Sequence, residues 1–159
     1  MSEETPQNSG QPAFHVEKLY LKDLSFESPS APESFREAGE PRLEYQLETN
    51  AFQKGPEHFE AILHVTVKVQ LNDNVLFLVD VTYGGLFLLR NIPPEHLAPT
   101  LGIECPTILF PFVRQLVASL VTEGGFKPVV LDPINFVALY QQQLQQQAQQ
   151  RQQAAAPVA

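Results

Sequence analysis

Seven apolar residues stand at every second position between 59 and 71: Phe59, Ala61, Leu63, Val65, Val67, Val69 and Leu71. Between them lie Glu60, His64, Thr66, Lys68 and Gln70, with Ile62 the single exception. A period of two places alternate side chains on opposite faces of a strand, so this stretch predicts a strand with one buried and one wet face. Asn72-Asp73-Asn74 follows, and Asn and Asp tolerate the positive φ of a hairpin turn. The chain returns through Val75, Phe77, Val79, Val81 and Tyr83, which predicts antiparallel pairing. A further strand is expected where Leu43, Tyr45 and Leu47 alternate with Glu44, Gln46 and Glu48. The first strand runs from about Phe14 to Phe26. Its apolar positions change parity from Phe14 and Val16 to Leu19 and Leu21, which predicts a bulge near Glu17–Lys18. Between these two strands, Ser28-Pro29-Ser30-Ala31-Pro32-Glu33 is a crossover too rich in proline to be a central strand.

On the return strand the even face reads Leu76, Leu78, Asp80, Thr82. With the odd face in the core, Leu76 and Leu78 are expected to point outward beside an acid, as an interface would need. Gly84-Gly85 is expected to bend or bulge the strand. The period then changes. Pro93-Pro94-Glu95-His96-Leu97 predicts a short helical turn, and 106–121 a helix in which Pro111 is either the first turn or a kink. From Ile108 to Val121 only Arg114, Gln115 and Ser119 interrupt the apolar run. A helix on a sheet needs one apolar stripe. This one is apolar nearly all round, so Phe112, Leu116 and Leu120 are expected at a subunit interface. Gly124 is expected to cap it. A last helix begins near Asp132-Pro133-Ile134-Asn135 and continues through Leu139, Leu144 and Ala148. Ten of the thirteen residues from 141 to 153 are Gln, with little apolar surface to dock. Strands followed by helices predict an α+β domain over residues 13–147, a flexible tail at 1–12 and a disordered tail at 148–159.

Charge narrows the class of partner. The chain of 159 residues has a net charge of −8, and residues 1–60 hold 12 acidic and 5 basic side chains against 6 and 5 in the remainder. Such a surface disfavours nucleic acid and anionic lipid, both of which require Lys and Arg to neutralise phosphate. It suits basic protein segments. The acidic N-terminus shows no signal-peptide pattern, and the 14-residue run Ile108–Val121 is too short and interrupted for a bilayer, so a soluble cytoplasmic protein without membrane insertion is expected.

Reactive chemistry is sparse. Cys105, the one cysteine, precedes Pro106 among apolar neighbours and is expected to be a small buried thiol. His15, His58, His64 and His96 form no pair at metal-ligand spacing, and His64 is expected to be solvated on the wet face. Neither glycine pair lies in a phosphate loop. No catalytic residue, metal or cofactor is assigned. Phenylalanine is abundant, 11 residues, and Phe26, Phe35, Phe52 and Phe126 fall in expected loops or edges, where they either line an apolar groove or anchor loops to the core. These features describe a non-catalytic protein that binds other proteins.

Four blocks, in order, resemble the bacterial SecB family of protein-export chaperones: Lys22-Asp23-Leu24-Ser25-Phe26-Glu27-Ser28-Pro29; Phe77-Leu78-Val79-Asp80-Val81 with Gly84-Gly85-Leu86-Phe87; Cys105-Pro106-Thr107-Ile108-Leu109-Phe110-Pro111; and Pro133-Ile134-Asn135-Phe136 with Ala138-Leu139-Tyr140. The resemblance spans about residues 13–147. It implies a four-stranded antiparallel sheet packed with helices and assembled as a homotetramer, a dimer of dimers. It further implies an ATP-independent holdase that keeps unfolded presecretory proteins competent for export and delivers them to the translocation ATPase SecA. By resemblance, Asp23, Glu27, Leu78 and Asp80 receive the basic, zinc-bearing tail of that ATPase. Position 80 is often Glu in relatives, and Asp shortens its reach by one methylene. The client groove of the family, between the crossover loop and the loop joining the helices, would place Phe35, Leu43, Phe126, Val129 and Leu131 near it. Other readings stay open on sequence: an acyl-thioester hydrolase relying on Glu104, a SecB-like chaperone dedicated to one antitoxin, or a structural oligomer without clients.

Overall fold

The computed structural model describes residues 10–155. The expected tails therefore lie partly outside it, at 1–9 and 156–159. The chain forms β1 (Ala13–Glu27), a short 3-10 turn (Glu33–Arg36), β2 (Arg42–Gln53), β3 (His58–Leu71), β4 (Asn74–Arg90), α1 (Pro94–Pro99), a π-helical turn (Thr100–Glu104), α2 (Cys105–Glu123) and α3 (Phe136–Ala155). The four strands make one antiparallel sheet in the order β1-β4-β3-β2. This is the α+β architecture expected from the sequence.

Alternation in β3 is realised as read, with Ala61, Leu63, Val65 and Val67 at 1% exposure or less. The β3–β4 turn places Asn72 at φ 49° and Asp73 at φ 66°, the left-handed values that a two-residue hairpin requires. β1 is bulged where expected, between Val16 and Lys18, and again between Leu21 and Asp23. A bulge adds one residue and so reverses the face of everything after it. The second bulge returns Leu24 and Phe26 to the core side and leaves Asp23, Ser25 and Glu27 exposed.

The same rule corrects the outward placement of Leu76. The β3–β4 register shifts where Val69 faces Phe77 and Gln70 faces Val75, leaving Leu76 unpaired. Its side chain turns into the core at 5% exposure, while Leu78 keeps the outer face. Gly84 and Gly85 make no bulge, since their register with β1 and β3 is unbroken. They clear space instead. A Cβ on Gly84 would stand 2.7 Å from the Tyr20 ring, and one on Gly85 2.6 Å from the Phe87 ring.

The helices cover one side of the sheet. Cys105, Leu109, Val113, Val117 and Val121, four residues apart along α2, are all fully buried, and α2 packs on β3 and β4. Pro111 lies within α2 on its exposed side. The apolar helical run is longer than Ile108–Val121, because α1, the π-turn and α2 join into 30 residues, Pro94–Glu123. By length and composition that run could cross a bilayer, but here its buried stripe is packed on the sheet. α2 ends through Gly125, at φ +88°, with the Phe126 N–H donating to the Val121 carbonyl. Gly124 caps the helix as expected, its N–H donating to the Leu120 carbonyl and its missing side chain giving clearance to Phe26, and the left-handed position follows at Gly125. Asn135 caps α3 by accepting from the Ala138 N–H at 3.1 Å. Helix α3 continues to Ala155, within the stretch expected to leave the fold at 148, with an exposed surface from Leu144 onward.

Candidate functional site

The sheet face away from the helices collects acids from all four strands. Direct cross-strand partners share a face, so the pairings define rows. Glu27 lies opposite Leu78, then Lys68 and Glu44; Ser25 opposite Asp80, then Thr66 and Gln46; Asp23 opposite Thr82, then His64 and Glu48. The structure thereby brings Asp23, Glu27, Leu78 and Asp80 together on neighbouring strands. Leu78 borders a hollow of about 150 Å³ with Glu44, Gln46, Thr66 and Lys68 among its walls.

Asp80 is held by its neighbours. Nε2 of His64 lies 2.9 Å from Oδ1 and 3.0 Å from Oδ2, and the Thr66 hydroxyl donates to Oδ2 at 3.0 Å. His64 is therefore a partner of the acid rather than a simply solvated side chain. Its role was not evident from period-two alternation, although a histidine and an aspartate on one face of adjacent, hairpin-linked strands are a readable signal once the register is known.

One end of the same face is built around a buried carboxylate. Glu60, at 8% exposure, accepts a hydrogen bond from the Tyr20 hydroxyl and another from Lys22 Nζ at 3.1 Å, with Lys54 Nζ at 3.9 Å. The Tyr20 bond, with Lys22 and Lys54 adding to it, holds the Glu60 carboxyl below the usual carboxylate range against the opposing effect of burial. Burial first, then Glu60, pushes the Tyr20 hydroxyl up to about 12. This cluster escaped the sequence reading because Glu60 occupies a regular wet-face position.

Apolar surface gathers on the helix side. Phe35, 49% exposed, packs on Phe126 with ring centroids 5.0 Å apart; Phe126 meets Phe77 at 4.9 Å, and Phe77 meets Phe26 at 6.0 Å. A chain of four rings thus links crossover, core and the loop after α2. Leu43 is 41% exposed on β2, and Tyr45, on the same face of that strand, is 52% exposed. Both stay open to solvent because α2 packs on β3 and β4, while β2 meets the helical layer at the π-turn. Val129 is half-buried and Val130, which the sequence reading passed over, is 70% exposed. Leu131 sits apart from this surface, at 5% exposure within the core.

The expected assembly positions lie along α2. Phe112 is 41% exposed and stacks on Tyr83 with planes 4° apart, while Leu116 and Leu120 are half-buried against the core. Phe112 and Leu116 line a hollow of about 400 Å³ with Leu19, Leu21 and Tyr83. Cys105 is fully buried, and burial followed by the neighbouring Glu104 charge pushes its thiol up to about 12, which leaves it unreactive. Among the described residues no group of three or more His, Cys, Asp or Glu side chains could hold a metal ion.

Fold and surfaces together define a sheet-and-helix protein whose exposed features suit contact with polypeptides. The chain belongs to the SecB family: the sequence pattern described as preprotein translocase subunit SecB matches residues 7–147. It is 57% identical over 141 residues to the protein-export protein SecB of Magnetococcus marinus, covering 88% of this chain and 90% of that one. It is 49% identical over 139 residues to the protein-export protein SecB of Chromobacterium violaceum, covering 87% and 93%. Among solved structures, the SecB-like chaperone of Mycobacterium tuberculosis in complex with a peptide from the HigA1 antitoxin shares the fold, with a TM-score of 0.65, 14% identity and coverage of 76% and 90%. The family that the four sequence blocks resemble is thus the chain's own, and the four-stranded antiparallel α+β fold expected from the sequence is the one observed.

Proposed function

We propose that the chain is a cytoplasmic, non-enzymatic, ATP-independent holdase that carries unfolded presecretory proteins to the translocation ATPase SecA as a tetramer. The observation that carries the division of labour is the sidedness of the sheet. Asp23, Glu27, Leu78 and Asp80 share the outer face, whereas Phe35 and Phe126 connect through Phe77 to the helix side. A basic tail docks on the acids, and extended apolar client segments lie against Phe35, Phe126, Leu43 and Val129. Leu131 supports that surface from within. Contacts of this type accept many sequences because they rely on apolar area rather than specific hydrogen bonds. Repetition around a tetramer strengthens them through effective concentration. Assembly uses Phe112, Leu116 and Leu120.

Asp80→Ala and Asp23→Ala are expected to weaken SecA binding by about fivefold or more each while aggregation of an unfolded precursor is still suppressed. Phe35→Ser is expected to do the opposite. Loss of both activities together in any of these variants, with the oligomer intact by sedimentation, would refute two separate surfaces.

A further inference from the structure

We propose that His64 is a positioning residue for the acidic dock and makes docking weaken as the pH falls. The inference deepens the docking role proposed above for Asp80 and rests on it. Aspartate here is short, and a free carboxylate on a sheet face would sample several rotamers. Instead, both Asp80 oxygens are within 3.0 Å of His64 Nε2, and Oδ2 also accepts from the Thr66 hydroxyl. The carboxylate is fixed from β3, on the side away from Ser25 of β1, so its orientation toward the Asp23–Glu27 strand is preset.

The charge on the imidazole decides what that arrangement presents. With His64 neutral, Nε2–H donates to Asp80 and the acid keeps its full negative charge. When His64 takes up a proton, Nδ1–H faces Glu48, whose Oε2 is 3.9 Å away, and one cation sits between two carboxylates. The charged groups facing His64 are Asp80 from β4 and Glu48 from β2, with Asp23 of β1 beyond Thr82 in the same row. On β3 itself Glu60 and Lys68 stand four residues to either side on the same face, Glu60 engaged by Tyr20 and Lys22 and Lys68 beside Leu78. The helices pack on the opposite side of the sheet. A basic partner and a proton on His64 therefore compete for the same acids, so each lowers the affinity for the other. The two carboxylates in direct reach of the imidazole are Asp80 and Glu48, while Asp23 and Glu27 have no ion-pair partner among the described residues.

The test is calorimetric titration of the full-length chaperone with SecA at pH 8 and pH 6 and constant ionic strength, where titration of SecA itself is common to every variant. His64→Gln keeps an N–H donor but cannot become charged. It is expected to match the unaltered protein within about twofold at pH 8, and to lose about fivefold less affinity on going to pH 6, a size set by partly exposed ion pairs. His58→Gln, which alters an imidazole paired with Glu17 outside the dock, is expected to follow the unaltered pH slope. His64→Ala removes the donor and is expected to weaken docking at both pH values. Equal pH slopes for His64→Gln and the unaltered protein, with Asp80→Ala still impaired at pH 8, overturn the role of His64 alone. Full affinity in Asp80→Ala at pH 8 overturns the docking reading beneath it.

Discussion

Glu60 is the side chain with most to lose from its position, since a carboxylate at 8% exposure must recover its hydration from protein donors. Tyr20 and Lys22 supply them, and Gly84 is what allows the Tyr20 ring to lie over β4. Because the folded state holds Glu60 below its ordinary pKa, its contribution is present above the unfolded value of about 4.3 and is lost as pH falls through the folded value. Glu60→Gln is therefore expected to lower stability by about 1–3 kcal/mol at pH 7, with the difference from the parent shrinking below about pH 4 in urea denaturation. Tyr20, pushed up to about 12, is expected to ionise only well above pH 10 in an ultraviolet titration. Its neutral form adds stability in full below about pH 10, and that is lost toward the folded value. The Cys105 thiol, also near 12, is expected to resist iodoacetamide at pH 8 until the protein is unfolded. Stoichiometric labelling of the native protein would contradict its burial. Of these residues, the sequence revealed Cys105 as core by its neighbours. It did not reveal the Tyr20–Glu60 bond, whose partners are 40 residues apart and meet across an intervening strand.

At the scale of elements, turns and caps hold the testable strain. Asp73 occupies φ 66°, where glycine has no Cβ penalty, and Asp73→Gly would create the favoured Asn-Gly turn. It is expected to stabilise the protein by about 0.5 kcal/mol in chemical denaturation. Gly125→Ala places a Cβ at φ +88° and 3.2 Å from the Phe35 ring. It is expected to cost about 1–2 kcal/mol and to reduce client holding together with stability, because the same loop carries Phe126. The hairpin was legible from period two and a turn triplet. The first β1 bulge was legible as a parity change, and the second was present in the same form, as Leu24 and Phe26 after Leu19 and Leu21. The Leu76 bulge left no such sign, since Leu76, Phe77 and Leu78 are all apolar and either face would accept any of them.

At the scale of the whole molecule, apolar residues either fill the core or stand exposed in separate places, and area alone does not say what each exposed group contacts. The stacked pair Tyr83–Phe112 and the hollow beside it lie along α2, outside the stripe that packs on the sheet. Phe112→Asp and Leu116→Asp are expected to shift sedimentation toward smaller species, with far-ultraviolet circular dichroism unchanged. Unaltered sedimentation in both would move the assembly contact elsewhere. The exposed Phe35, Leu43, Tyr45 and Val130 are positioned differently, on the crossover, on β2 and on the loop after α2. Their separation from the outer acids is the reason that docking and holding are expected to be altered independently.

The sequence by itself determined the strands, the hairpin and the SecB-like blocks, because each is written in local periodicity or in contiguous residues. It also placed Asp23, Glu27, Leu78 and Asp80 in two such blocks. Only the tertiary structure decided which side of the sheet Leu76 faces, that Gly84 and Gly85 give clearance rather than a bulge, that Leu131 is core, and that Asp80 is held by His64. Each of those depends on the register between strands or on which helix covers which strand. One residue of register reverses a face, and the local pattern reads the same in either arrangement.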